Sequence, residues 1–411
     1  MSAVQATDRG RARRRVRQLA LARAVSAGGS QAAQIALIYQ IYAVTRSGLW
    51  VAAALLCSIS LGGLMGPVSG WVADRFDRKR VMVVSELVGG ATYLAMVFAH
   101  APAFLLAGSL VATVAGSPFR AASAAAMPNL VELGDLAWAN AQLGTAFNLA
   151  LVGGPLIGGA LVAASGAGLV FAVNAATFAA SGVLIASTKG RFGGRVGETS
   201  IEPGARDLLA GFRFILSNRQ LASLAVASAL VYGSFGTALV IDPALARFFH
   251  AGSVGYGLLT TTWGAGAVLG ALLSGRVVAV ETAHRAIVWG MAAMAVSLGS
   301  IAFLPTFAII VVAGTVGGFG SGFVFIPWLL LIQHMSPDWM RGRVVAAAEV
   351  FEQVAFIAGM GAAVPAISVL NAHHAYGLTG LLLLLATAIA AATGAGVNRR
   401  RWAASRLRVG G

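Results

Sequence analysis

The chain reads as an all-α membrane protein of twelve transmembrane helices in two halves, with both termini cytoplasmic. Three observations predict this. Hydrophobic residues make up 58% of the 411 and charged residues only 10%, with a mean hydropathy of +0.81; a soluble domain carries about 25% charged residues to cover its surface. Apolar runs of the roughly 20 residues needed to cross a bilayer follow one another along the whole chain. Finally, lysines and arginines crowd into alternate connectors, the pattern that orients helices in a membrane.

The elements follow in order. A basic tail, residues 1–18 with Arg9, Arg11, Arg13, Arg14, Arg15 and Arg17, precedes an apolar run over 19–44. That run exceeds the 7 to about 15 residues of a signal peptide, so it reads as a first span. Spans over 49–73, 81–100, 103–126, 140–164 and 168–188 complete a first half, 19–188. A polar linker, 189–219, carries Leu208, Leu209, Phe212 and Ile215 at helical spacing and is expected to form a short interfacial helix. The second half, 220–397, holds spans over 220–245, 252–279, 286–304, 307–333, 343–370 and 375–397, and a basic tail, 398–411, closes the chain. Arg75 to Arg80, the linker, Arg276, Arg285, Arg341 and Arg343 fall on the side of both tails, against Arg46 and Arg247 on the other; the positive side is the cytoplasm. The membrane is the inner (plasma) membrane, crossed many times.

The formal net charge of +15 sits in these connectors and tails without an interleaved aromatic platform, which argues for membrane orientation and against nucleic acid. Cys57 is the only cysteine, so no internal disulfide forms. There is no phosphate-binding G-x-x-x-x-G-K-[ST] and no H-E-x-x-H, which removes an ATP-driven pump and a zinc enzyme of those types. No metal and no cofactor is expected. The helices carry small residues four apart, Gly154 with Gly158, Gly266 with Gly270, and Gly314 with Gly318 and Gly322, a spacing that lets backbones approach.

One stretch departs from the apolar background. In "GWVADRFDRKR", Asp74, Arg75, Asp77, Arg78, Lys79 and Arg80 place six charges in seven positions. Sorting to the positive side accounts for the bases; it leaves Asp74 unexplained, because a carboxylate at the lipid boundary needs a cation or a helix N-terminus. Other ionisable groups fall within the spans: Glu86, Arg120, Asp242, Glu349 and Glu352. Gln31, Gln34 and Tyr39 make a polar stripe on the first span that suits either a substrate or interhelical hydrogen bonds. Trp263, Trp328 and Gln333 are weaker candidates, since membrane tryptophans are often interface anchors.

The charged stretch resembles the signature between helices two and three of the major facilitator superfamily, G-x-x-x-D-R-x-G-R-[RK], through Gly70, Asp74, Arg75, Arg78 and Lys79. Asp77 stands where that signature has glycine, a departure typical of the branch that holds the enterobactin-type exporters and the transmembrane secretion effectors. "MPNLVELGDLAWANAQ", "GGPLIGGALVAASG", "GYGLLTTTWGAGAVLGALLSGR" and "SPDWMRGRVVA" also resemble that branch, in the same order. Gly154, Pro155, Gly158 and Gly159 resemble the antiporter motif of helix five. The matching loop of the second half, "SGRVVAVETAHRA", keeps Gly275 and Arg276 and lacks the charged cluster.

The resemblance implies two six-helix bundles with pseudo-two-fold symmetry around a cavity lined by helices one, four, seven and ten, open alternately to either side. It implies a cytoplasmic gate in which Asp74 meets nearby bases and the start of helix eleven, with Arg341, Arg343, Glu349 and Glu352 as partners. It favours Arg120 and Asp242 for coupling, although Asp242 lies near the outer end of its span and could cap a loop, and Arg120 could bond a helix-eleven acid or backbone carbonyls. The function expected is a proton-coupled exporter of an amphipathic small molecule such as a drug or siderophore, acting as a monomer in the bilayer. An uptake symporter and a membrane sensor on the same fold are the alternatives.

Overall fold

The computed structural model describes residues 3–99, 101–131, 135–188, 192, 205–337 and 340–409. Every regular element among them is helical. The chain forms two compact units, Met1–Ile201 with Ala251–Thr261 and Glu202–His250 with Thr262–Gly411.

In the first unit, α1 (Ala3–Thr45) is 43 residues long, about 65 Å at the α-helical rise and twice the hydrocarbon thickness of about 30 Å. It therefore runs through the arginine-rich tail without a break, arginine being a good helix former. The run expected over 49–73 is segmented into α2 (Gly48–Leu55), a π-helical turn at Leu56–Ser60, α3 (Leu61–Leu64) and α4 (Gly66–Arg75), the last with Pro67 in its first turn, where a missing N–H costs little. α5 (Arg78–Met96) and α6 (Pro102–Leu130) follow. α7 (Leu136–Ser187) is broken at Gly166, whose φ of 78° is a backbone state open to glycine. Its two arms both pack on α1: a Cβ on Gly154 would touch the Gly28 carbonyl, while one on the adjacent Gly29 would strike Asn174 and Thr177 on the second arm. Gly158 lets α7 approach α1 backbone to backbone, since a Cβ there would lie 2.5 Å from the Ala32 carbonyl oxygen.

In the second unit, α8 (Ala205–Ser217) forms where the interfacial helix was expected, with Ile215 buried and Leu209 and Leu216 exposed. α9 (Arg219–Phe248) begins at Asn218, whose side chain accepts from the amides of Gln220 and Leu221. α10 (Gly252–Val277) starts within the first unit and continues in the second. α11 (Val280–Ser300), a 3₁₀ turn at Ile301–Phe303 and α12 (Phe307–Met335) follow. α13 (Arg341–Val409) is broken at Asn371, φ 63°, whose side chain accepts from the His374 amide and so caps the second arm. The glycine pairs make the expected close approaches: a Cβ on Gly266 would strike the Thr315 carbonyl, and one on Gly318 the Trp263 carbonyl. Gly314 is the exception, with open space where its Cβ would be.

Seven helices among the described residues are long and apolar enough to cross a membrane, and two of these, Ala141–Ser187 and Arg341–Thr393, contain the breaks at Gly166 and Asn371.

Candidate functional site

The charged stretch is anchored by the buried floor of the first unit, where Val16, Ala73, Met82, Met127, Leu143 and Ile185 pack together. The chain leaves α4 at Arg75, turns at Phe76 and enters α5 at once. Asp77 is the N-cap of α5: its Oδ1 accepts from the Arg80 amide at 2.8 Å. Two of the bases reach across to neighbouring helices. Arg78 Nη1 donates to the Ala125 carbonyl of α6 at 2.8 Å, and Lys79 Nζ to the Ala186 carbonyl at the end of α7 at 2.7 Å. Lys79 thereby satisfies a carbonyl of the last turn of α7, where a cation is also favoured by the helix dipole, while Arg78 adds a bond to a carbonyl five residues before the end of α6. Arg75 and Arg80 are exposed and Gly70 is half-buried. Asp74 belongs to the last turn of α4; its side chain lies outside the described residues.

An ion pair braces the same floor. Arg13, on the part of α1 expected as a tail, pairs with Asp135 at 3.1 Å and lies over the Trp138 ring. Nothing in the sequence distinguished Arg13 from its neighbouring arginines.

Deeper in the first unit, Arg120 Nη2 donates to the Gly62 carbonyl at 2.8 Å, the backbone alternative among those expected for it. Gln34 Nε2 donates to Ser58 Oγ at 2.9 Å, so this member of the polar stripe ties α1 to the π-helical turn. The Gln31 Cβ packs against Gly154, and Tyr39 is half-buried. Glu86 is 2% exposed and accepts from Ser26 Oγ at 3.1 Å. Pro155 and Gly159 are buried; the Gly159 carbonyl accepts from Ser253 Oγ at 2.9 Å, and Gly257 packs on the Pro155 carbonyl.

The second unit buries two acids. Asp242 does not reach toward a loop: it is 9% exposed and accepts from the Tyr376 hydroxyl at 2.5 Å. Glu352 accepts from Ser228 Oγ at 2.5 Å and Trp328 Nε1 at 2.8 Å. Glu349, three residues before Glu352, is exposed; a spacing of three is about 300° of helical turn, and the edge of the buried face falls between them. Arg341 Nε donates to the Gln333 carbonyl, while the Gln333 side chain is exposed. The Arg343 carbonyl receives Gly211 of α8. Trp328 is inside the unit, away from an anchoring role, and Trp263 is half-buried against Phe235. Sequence reasoning missed Tyr376 and Ser228, polar residues in apolar helices whose partners lie 134 and 124 positions away. Among the described residues no group of three or more His, Cys, Asp or Glu is placed to hold a metal.

Helices of this length and apolarity define a polytopic membrane protein, and solved structures share the fold. The nucleoside transporter NupG superposes with a TM-score of 0.70 at 12% identity, covering 92% of this chain and 98% of that one. A bacterial homologue of the iron transporter ferroportin gives 0.68 at 16% identity, covering 92% and 98%. A family model described as transmembrane secretion effector matches residues 12–397, and the chain belongs to that family of the major facilitator superfamily. Curated relatives include the putative bacilysin exporter BacE of Bacillus subtilis, 22% identical over 303 residues, 73% of this chain and 76% of that one. The enterobactin exporter EntS of Citrobacter koseri is 28% identical over 348 residues, 80% and 79%. The protein is thus a transporter, not an enzyme, and a multi-pass protein of the cell membrane.

Proposed function

We propose that the protein is a secondary active exporter that moves an amphipathic small molecule out of the cytoplasm in exchange for protons, by alternating access. The observation that carries this reading is the family match over 12–397, with relatives named as exporters of bacilysin and enterobactin. Splitting the two long apolar helices at Gly166 and Asn371 supports twelve spans: nine arise from the seven, and α1, the α2 to α4 segment and α5 supply three more. An even number agrees with both basic ends lying on the cytoplasmic side.

Asp242 is the proposed proton carrier. It is a buried carboxylate on the seventh span whose bond to the Tyr376 hydroxyl lets it exist in either protonation state. The 70–80 connection is the proposed cytoplasmic latch, with Asp74 as its acid and Arg78 and Lys79 holding the ends of α6 and α7 in register. Everted vesicles carrying the protein, with an imposed pH gradient, test the reading. Gradient-dependent accumulation of at least one compound from a panel of drugs, siderophores and peptides is expected; none across the panel would count against a proton-coupled exporter.

A further inference from the structure

Glu352 stands in surroundings unlike those of the other buried acids. On α9, Ser228, Tyr232 and Phe235 recur at helical spacing on one face, and on α12 so do Phe325 and Trp328. Their rings interlock: Tyr232 meets Phe325 edge-on at 5.4 Å, Phe235 stacks on Phe325 at 5.8 Å, and Trp263 of α10 closes on Phe235 at 5.0 Å. These four rings are half-exposed. Behind them Glu352 is 7% exposed, held by Ser228 and Trp328 with the Tyr232 hydroxyl beside it.

All of these neighbours are neutral donors, and no Lys, Arg or His pairs with Glu352 among the described residues. Glu86 and Asp242 likewise bond neutral donors, so what sets Glu352 apart is the cluster of half-exposed rings in front of it. Aromatic faces attract organic cations, and a box of rings around a fixed negative charge is how such ligands are recognised. A purely apolar ligand would gain nothing from the acid, and an anion would be repelled by it.

We propose that Tyr232, Phe235, Trp263 and Phe325 form a substrate subsite for an amphipathic organic cation bearing an aromatic ring, with Glu352 as its counter-charge. The inference deepens the exporter reading by assigning a substrate class, and it rests on that reading only for the direction of movement. The cation lies against the half-exposed rings; Glu352 acts on it through the layer of Trp328 and Tyr232 and so is a positioning charge.

The test is binding without any gradient, using the purified full chain in nanodiscs, with tetraphenylphosphonium and its anionic counterpart of the same shape, tetraphenylborate. Saturable tetraphenylphosphonium binding is expected, weakened about tenfold or more by Glu352→Gln and several-fold by Phe235→Leu or Phe325→Leu. Glu352→Asp should retain most of it, and Glu281→Gln, on the exposed start of α11, should change nothing. Equal binding of tetraphenylborate to the wild type, or undiminished binding in a monodisperse Glu352→Gln, would overturn the proposal. If Glu352→Gln does not fold, the contrast between the two probes on the wild type decides. Binding that persists where vesicles show no gradient-driven transport would remove the exporter reading and leave the subsite standing.

Discussion

The connection from α4 to α5 and the one from α10 to α11 are both short turns, and they are built differently. In the first, Asp77 caps α5, Arg78 holds α6 and Lys79 holds the last turn of α7. In the second, the cap at α11 comes from Thr282, whose Oγ1 accepts from the Ala279 amide, and Arg276 is exposed. One tie survives in both: the His284 ring bonds the Ala390 carbonyl on the second arm of α13, as Lys79 bonds Ala186 on the second arm of α7. The repeated tie is architectural, fastening the first turns of a helix to a backbone carbonyl of a neighbouring one. What the first connection has in addition, Arg78 on α6 and the acid Asp74, is where function is to be sought.

The predictions separate the shared from the unshared parts. Asp74→Asn should reduce transport to near background with normal insertion; full activity would make the cluster a topological signal alone. Gly158→Ala forces α7 away from the Ala32 carbonyl and should cost about 1 to 3 kcal/mol, read as a lower melting temperature in detergent. Arg78→Gln removes a charged bond to the Ala125 carbonyl and should destabilise by about 1 to 2 kcal/mol, whereas the exposed Arg276→Gln should stay within about 0.5 kcal/mol. Asp77→Ala should cost about 1 kcal/mol and Asp77→Ser much less, since serine keeps the cap.

Much of the helical layout was legible. The run expected over 307–333 is α12 at Phe307–Met335, and that over 252–279 is α10 at Gly252–Val277, because charged or proline-bearing connectors bound these apolar stretches sharply. The π-helical turn at Leu56–Ser60 was not, since hydropathy is blind to hydrogen-bond register within an apolar run. The helical state of the arginine-rich tail was missed because charge was read there without helix propensity. At the site, Asp77 was noticed as a departure from the family signature, yet its work is local: an Asp just before a helix is an N-cap signal. The bonds of Asp242 to Tyr376 and of Glu352 to Ser228 depend on tertiary packing that no local pattern encodes.

Proton coupling is the claim on which the transport account turns, and reconstituted liposomes test it most directly. With a trapped pH dye and a compound identified from the vesicle panel, an imposed substrate gradient should drive a counter-flow of protons through the wild type. Asp242→Asn should abolish that proton flow while substrate exchange continues. Absence of proton movement in the wild type, or unchanged movement in Asp242→Asn, would contradict the account.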